Sequence, residues 1–157
     1  MEHPKDVGDR TTLAVMVALR EIGYAVSVPF GENTRYDLVI DNGVQLARVQ
    51  CKTGRLRAGS VLFSTASTYL HHTSAAVSRR AYHGEIDYFG VYCVATGGVY
   101  LVPIEDVPTR TAAMLRVEPA RNGQQKRIRR AADYQIGTVE VPALYVTRAL
   151  RASSGAR

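Results

Sequence analysis

Asp37, Gln50 and Lys52 are residue types that suit one chemistry if the fold brings them together, the hydrolysis of a phosphodiester. That reaction needs a water deprotonated near neutral pH, a polarised phosphoryl oxygen and a stabilised leaving alkoxide; a carboxylate-held Mg²⁺ supplies these. Asp37 would be the anionic anchor, and Gln50 would offer a neutral amide oxygen. Mg²⁺ takes hard oxygen ligands and keeps several waters, so few protein ligands suffice. Lys52 would orient or help deprotonate the attacking water and stabilise transition-state charge.

The stretch from Arg35 to Arg57 must position these groups, and it reads as a β-hairpin. Leu38 and Ile40 alternate with Asp37, Val39 and Asp41 on one arm. Ala47, Val49 and Cys51 alternate with Arg48, Gln50 and Lys52 on the other. Asn42-Gly43 between the arms suits a two-residue type I′ turn, because both residues tolerate positive φ. With that turn Asp41 pairs with Val44, Asp37 stands opposite Arg48, and Asp37, Gln50 and Lys52 share one face. A three-residue turn would shift the register and separate them. The competing reading is an ordinary hairpin in which Asp37 pairs with Arg48 across the ladder.

An aspartate, a short hairpin, then a polar residue, one spacer and a lysine resembles the active-site motif of the PD-(D/E)XK nucleases. Tyr36 stands in the place of the proline and Gln50 in that of the second acid. The wider run resembles the intron-associated homing endonuclease-like branch, whose motif ends Q-x-K. The matching pieces are Gly8-Asp9, GYAVSVPFGEN (23–33), YDLVID (36–41) and RVQCKTG (48–54), with EIDYFGVYC (85–93), VYLVP (99–103) and NGQ…IRRAADY (122–134) further on. Spread in order along nearly the whole chain, they are far more specific than the short motif alone.

The resemblance implies a restriction-endonuclease-like α/β core. Its mixed β-sheet would be built from two hairpins and a first strand, and flanked by the first helix and later helices. It also implies that the Cys51 backbone carbonyl completes the metal sphere and that an acid on the first helix adds a ligand or holds a water. Asp9 is the candidate for that acid, because the usual glutamate position, one turn on, is Thr12. The same Asp9, or Asp6, could instead be the helix N-cap. Glu32 is a minor further ligand candidate. The implied cofactor is Mg²⁺, with Mn²⁺ able to substitute. The implied substrate is double-stranded DNA, cut by a homodimer or homotetramer, since two strands need two active sites.

Composition agrees with this reading. The 157 residues can bury one core without staples; residues 1–147 read as a single domain and 148–157 as a basic, flexible tail. Hydrophobic content of 46% and charged content of 22% exclude a disordered chain. Cys51 and Cys93, each on an apparent strand, read as buried thiols rather than a disulfide. The N-terminus lacks a basic start and an apolar run, and no apolar stretch approaches spanning length, so the expectation is a soluble, cytoplasmic protein with no membrane partner. The net charge of +6 is concentrated: ten Lys/Arg face eleven Asp/Glu up to Thr109, and ten face three from Arg110 onward. A basic surface of that kind meets a polyanion by counterion release.

The other elements follow from pattern. Asp6 to Ile22 reads as the first helix, with Val15, Leu19 and Ile22 at helical spacing and Gly23 as its terminator. Ala25–Phe30 reads as a strand that Pro29 ends or keeps at an edge, and Ser60–Ala66 as another. Residues 64–83 are rich in Ser, Thr and His, and His71-His72 among them, which lack a Cys or acidic partner at ligand spacing, read as part of a mobile loop. Two strands, Tyr88–Ala95 and Val99–Ile104, form a second hairpin, with Asp87 before it in a structural role. Residues 112–118 could be a strand or a short helix. Arg121–Tyr134 reads as a helix with Ile128, Ala131 and Ala132 inward, and 139–141 as a short strand. Arg55, Arg57, Arg79, Arg80, Lys126, Arg127 and Arg130 are the candidate DNA contacts. The expected function is sequence-specific cleavage of double-stranded DNA. Its alternatives are structure-specific cutting of branched DNA, as in Holliday junction resolvases of the same core, and a DNA-binding module without catalysis.

Overall fold

Alternating and helical apolar patterns condense into one α-helix and ten strands among the residues that the computed structural model describes, namely 2–31, 33–70, 77–107 and 111–140. The helix, α1, is Pro4–Glu21, and its buried stripe is Thr11, Ala14, Val15, Ala18 and Leu19. Burying a side chain such as Leu19 contributes about 1.5–3 kcal/mol, so this stripe fixes the helix to the sheet. The N-cap is His3, whose side chain accepts the Lys5 N–H, and not the expected Asp6 or Asp9. Pro4 explains the earlier start, because its fixed φ is preset for the first helical position and it has no N–H to satisfy. Gly23, at φ +90°, ends the helix as expected.

The strands are β1 (Ala25–Ser27), β2 (Leu38–Asp41), β3 (Leu46–Arg57), β4 (Ser60–Ser64), β5 (Ala66–Leu70), β6 (Val77–Ala81), β7 (Tyr88–Cys93), β8 (Gly98–Pro103), β9 (Ala112–Arg116) and β10 (Gln135–Thr138). The main sheet runs in the order β1-β2-β3-β7-β8-β10. Only β3 and β7 pair in parallel; the other neighbours are antiparallel. β3 is long enough to leave β2 and β7 and continue against β4, which pairs with β9. β5 and β6 form a separate hairpin.

Two apolar layers follow from the alternation. Ala14, Val15, Ala18 and Leu19 of α1 cover Leu38, Ile40, Val49, Cys51, Tyr92 and Val99 on one face. Val61, Phe63, Tyr82, Phe89, Val91, Tyr100, Val102 and Leu115 fill the other. Gly90 lies where α1 crosses β7, and a Cβ there would come within 2.7 Å of Val15 Cγ1 and 3.1 Å of Val49 Cγ1.

Several expectations are corrected. Arg121–Tyr134 is not a helix: it is irregular up to a 3₁₀ turn at Ala131–Asp133. Gly123 and Arg127 adopt positive φ, and the Arg116 N–H donates to Arg129 O (2.7 Å), so the segment runs extended beside β9. The block from Lys126 to Arg130 also carries like charges at helical spacing, which weakens a helix. Ala131 is buried as expected, while Ile128 is half-buried and Ala132 exposed. Among the described residues, two 3₁₀ turns, this one and Ile104–Asp106, stand where later helices were expected to flank the sheet. On either side of His71-His72, where no strand is expected beyond Ala66, Ala66–Leu70 and Val77–Ala81 pair as the β5–β6 hairpin. Residues 112–118, left open between strand and helix, contain β9, and the last described strand is Gln135–Thr138 rather than 139–141. The first strand ends at Ser27, on the sheet edge as Pro29 suggests. His71-His72, Glu32 and the tail 148–157 lie outside the described residues.

Gly90→Ala should cost about 1–3 kcal/mol, because its methyl group would push Val15 or the helix outward. Urea unfolding measures this, and an unchanged midpoint would contradict the close helix–sheet approach.

Candidate active site

The site forms where β2 stops and β3 goes on. The turn between them holds four residues rather than two: Asp41 pairs with Leu46, and Leu38 with Val49. Asn42 causes this, because its Oδ1 accepts the Val44 and Gln45 N–H groups (2.9 and 3.0 Å), and only Gly43 needs positive φ. The shift from the expected register is two residues, which preserves the face of every side chain. Asp37 donates its own N–H to Val49 O (2.9 Å), one step past the ladder, so it stands beside Gln50 rather than Arg48.

Arg48 is engaged elsewhere. Its backbone N–H and its Nε both donate to Asp87 Oδ2 (2.7 and 3.2 Å), and Asp87 N–H returns a bond to Arg48 O (2.9 Å). The guanidinium donates a hydrogen bond that holds the Asp87 carboxyl below the usual carboxylate range. This pair locks the start of the parallel β3–β7 ladder, the structural role expected of Asp87, and leaves no Asp37–Arg48 pair.

Asp37 Oδ2 accepts the Cys51 N–H (2.9 Å), a backbone group that β2 no longer reaches. In an antiparallel pair a strand residue turns its N–H and C=O to the same neighbour, so the Cys51 carbonyl also opens toward Asp37. Gln50 Nε2 lies 3.4 Å from that carbonyl oxygen. Burial raises the Asp37 carboxyl above its ordinary pKa, while the Cys51 N–H and the charge of Lys52 pull it back. The Cys51 thiol faces α1, where burial, with the charge of Asp37 added, pushes its pKa up against a hydrogen bond from Thr12. Thr11 Oγ1 and Thr53 Oγ1 are 2.7 Å apart, a second polar tie between helix and strand.

Lys52 and Gln50 look away from α1, on the face of their β7 partners Val91 and Phe89. Lys52 Nζ donates to Tyr82 Oη (3.0 Å) and lies 4.7 Å from the centre of that ring. The Arg35 guanidinium sits 4.0 Å from the same ring centre. Arg35 also pairs with Glu85 and donates to Ser67 Oγ and Ala81 O (2.6 and 2.9 Å). Sequence reasoning missed Tyr82 and Arg35. Arg35 flanks the motif, but Tyr82 carries no local signal and reaches Lys52 only because of how β6 returns.

Mg²⁺ fits the donors that the fold brings together. One Asp37 oxygen is taken by Cys51 N–H, leaving Oδ1; the Cys51 carbonyl, which Gln50 Nε2 reaches, lies on the same strand edge, and half a rotation of the Gln50 amide would present Oε1. All are hard oxygen donors, and an ion that retains waters needs few of them. Among the described residues no three His, Cys, Asp or Glu side chains gather as ligands. Asp9 is exposed on α1, and no described contact joins it to Asp37.

The candidate DNA contacts scatter. Arg55 and Arg57 are exposed at odd positions of β3, alternating away from the Lys52 face. Arg80 is paired with Glu85, and Arg130 lies 3.5 Å from Asp133. Arg79 stands opposite Thr68 on β6, with its side chain outside what is described. Lys126 and Arg127 are exposed; Arg127 joins Arg116, Arg121 and Arg129 around an open groove of about 930 Å³ whose lining does not include Asp37, Gln50 or Lys52.

A helix-backed mixed sheet with Asp37, Gln50 and Lys52 at the parting of two strands defines a restriction-endonuclease-like fold. A profile described as PD-(D/E)XK endonuclease matches residues 2–137, and the chain belongs to that family of nucleases. Its structure is similar to that of a bacterial homing endonuclease, I-Ssp6803I, with a TM-score of 0.69 and 20% identity over 99% of this chain and 100% of the other. No curated protein matches the sequence. No helix among the described residues is long and apolar enough to cross a membrane.

The raised Asp37 pKa has a testable sign. Between the ordinary carboxylate value and the raised one, the folded chain holds a proton that the unfolded chain releases, so this contribution is present at low pH and lost as pH rises through the folded pKa. Asp37→Asn should therefore raise the melting temperature of metal-free protein at pH 7. It should also remove any further rise on adding Mg²⁺. Calorimetry of both proteins with EDTA and with Mg²⁺ checks the two effects.

Proposed function

We propose that this endonuclease cuts double-stranded DNA at specific sequences with Mg²⁺, or Mn²⁺ in its place, as a homodimer or homotetramer. The observation that supports it most is the convergence of Asp37, the Cys51 carbonyl and Gln50 at one gap in the sheet, with Lys52 alongside. Asp37, Gln50 and the Cys51 carbonyl would hold the ion, which when bound supplies charge for the phosphate and acidity for a water. Asp37 supplies the negative charge, and its bond from Cys51 N–H keeps the remaining oxygen aimed into the gap. Lys52 orients the attacking water and meets the charge that grows on the phosphoryl oxygens. Asp9, exposed on α1, is the acid that the resemblance offers as a further ligand or as a holder of a bound water. Arg121, Lys126 and Arg127, exposed in the basic third of the chain, would hold backbone phosphates. Sequence specificity rests on the likeness to a homing endonuclease.

Purified protein incubated with Mg²⁺ and a library of linear and four-way DNA tests the reading. Metal-dependent cuts at a defined sequence in linear duplex are expected. Cutting confined to four-way DNA would assign junction resolution, and binding without any cutting would assign a module without catalysis. Lys52→Ala should lower the cleavage rate by about 10²–10⁴-fold with DNA affinity retained; a rate within about tenfold of wild type would remove the lysine from the reaction. Gln50→Ala should raise the Mg²⁺ half-saturation about tenfold or more, while Gln50→Glu keeps or lowers it. Three coincident Mg²⁺ titrations would put Gln50 outside the metal shell.

A further inference from the structure

Lysine has a long, rotamer-rich side chain, and one that acts on a water must be held in place. Lys52 crosses to Tyr82, a residue only 4% exposed and packed edge-on against Phe89 (ring centres 5.7 Å apart, planes at 88°). The tyrosine hydroxyl accepts from Nζ, and the ring face lies within reach of the ammonium. Arg35 stacks on the same ring, and Glu85 pairs with Arg35, so the carboxylate offsets the second cation. Arg35 also ties the end of β6 through Ala81 O, one residue before Tyr82.

We propose that Tyr82 is the positioning residue for Lys52: its hydroxyl fixes the ammonium, and the Arg35 stack fixes the ring. The inference rests on the assignment of Lys52 to the reaction and adds the group through which the rest of the fold controls it. Tyr82 acts through Lys52, so losing its hydroxyl disorders the lysine without disturbing metal or DNA binding.

Tyr82→Phe keeps the packing on Phe89 and the stack with Arg35 but removes the acceptor. It should lower the single-turnover cleavage rate by about ten- to a hundredfold. DNA affinity, Mg²⁺ half-saturation and melting temperature should stay those of wild type. In a Lys52→Ala background the same change should cost less than about twofold more, because the two act as a unit. In wild-type protein, NMR relaxation of the Lys52 side chain should show restricted motion, unlike that of exposed Lys126. A Tyr82→Phe rate within about twofold of wild type while Lys52→Ala is inactive would overturn the positioning role and leave Lys52 in place. Equal losses in both backgrounds, or a freely moving Lys52 in wild-type protein, would overturn it too. An active Lys52→Ala would overturn the assignment of Lys52 itself, and the role of Tyr82 with it.

Discussion

Beyond Leu38, β3 loses the backbone of β2 as its partner, and the Asp37 side chain takes over. A half-buried strand with an unanswered N–H would cost about 1–3 kcal/mol, and the carboxylate that accepts from Cys51 removes that cost. The repair of the sheet and the making of the site are therefore one interaction. It leaves one carboxylate oxygen uncommitted in a gap that already contains a backbone carbonyl. The rest of the fold supports this junction. From one side α1 presses on Cys51 and Thr53; from the other the β7 ladder, pinned by Arg48 and Asp87, sets the height of Gln50 and Lys52.

The face shared by Asp37, Gln50 and Lys52 was legible in the sequence because side-chain direction in a strand depends on parity alone. Asn42-Gly43 marked the turn correctly but not its length. The Asn42 side chain bonds two N–H groups ahead and so enlarges the loop. The resulting slip of two residues moved Asp37 from Arg48 to Gln50 without moving it off the face. An odd slip would have dispersed the site. Val15 and Leu19 on the helix face (though not Ile22, which is exposed past the helix end), the terminator Gly23 and the second hairpin were readable because each is written in local sequence.

What escaped the sequence depends on contacts between distant segments. Ile128, Ala131 and Ala132 follow a helix-compatible spacing, yet the Arg129 carbonyl is taken by Arg116, and an extended backbone results. Nothing in the Ser- and Thr-rich segment after β4 announces that Ala66–Leu70 pairs with Val77–Ala81 in a hairpin. Only that hairpin returns the chain to place Tyr82 over Lys52. The ties of α1 to β3 beside the site, from Thr11 to Thr53 and from Thr12 to Cys51, are likewise contacts between distant segments.

Both cysteines are enclosed. Cys93 lies in the apolar layer behind β7, and Cys51 is held protonated between α1 and the sheet. Reagents that attack thiolates therefore meet a chain with almost no background reactivity. A cysteine introduced at the surface, on the β5–β6 hairpin or beside the arginine-lined groove, could carry a fluorophore or spin label alone, with the natural thiols left as they are. The molecule can report its own contact with DNA without first being stripped of sulfur.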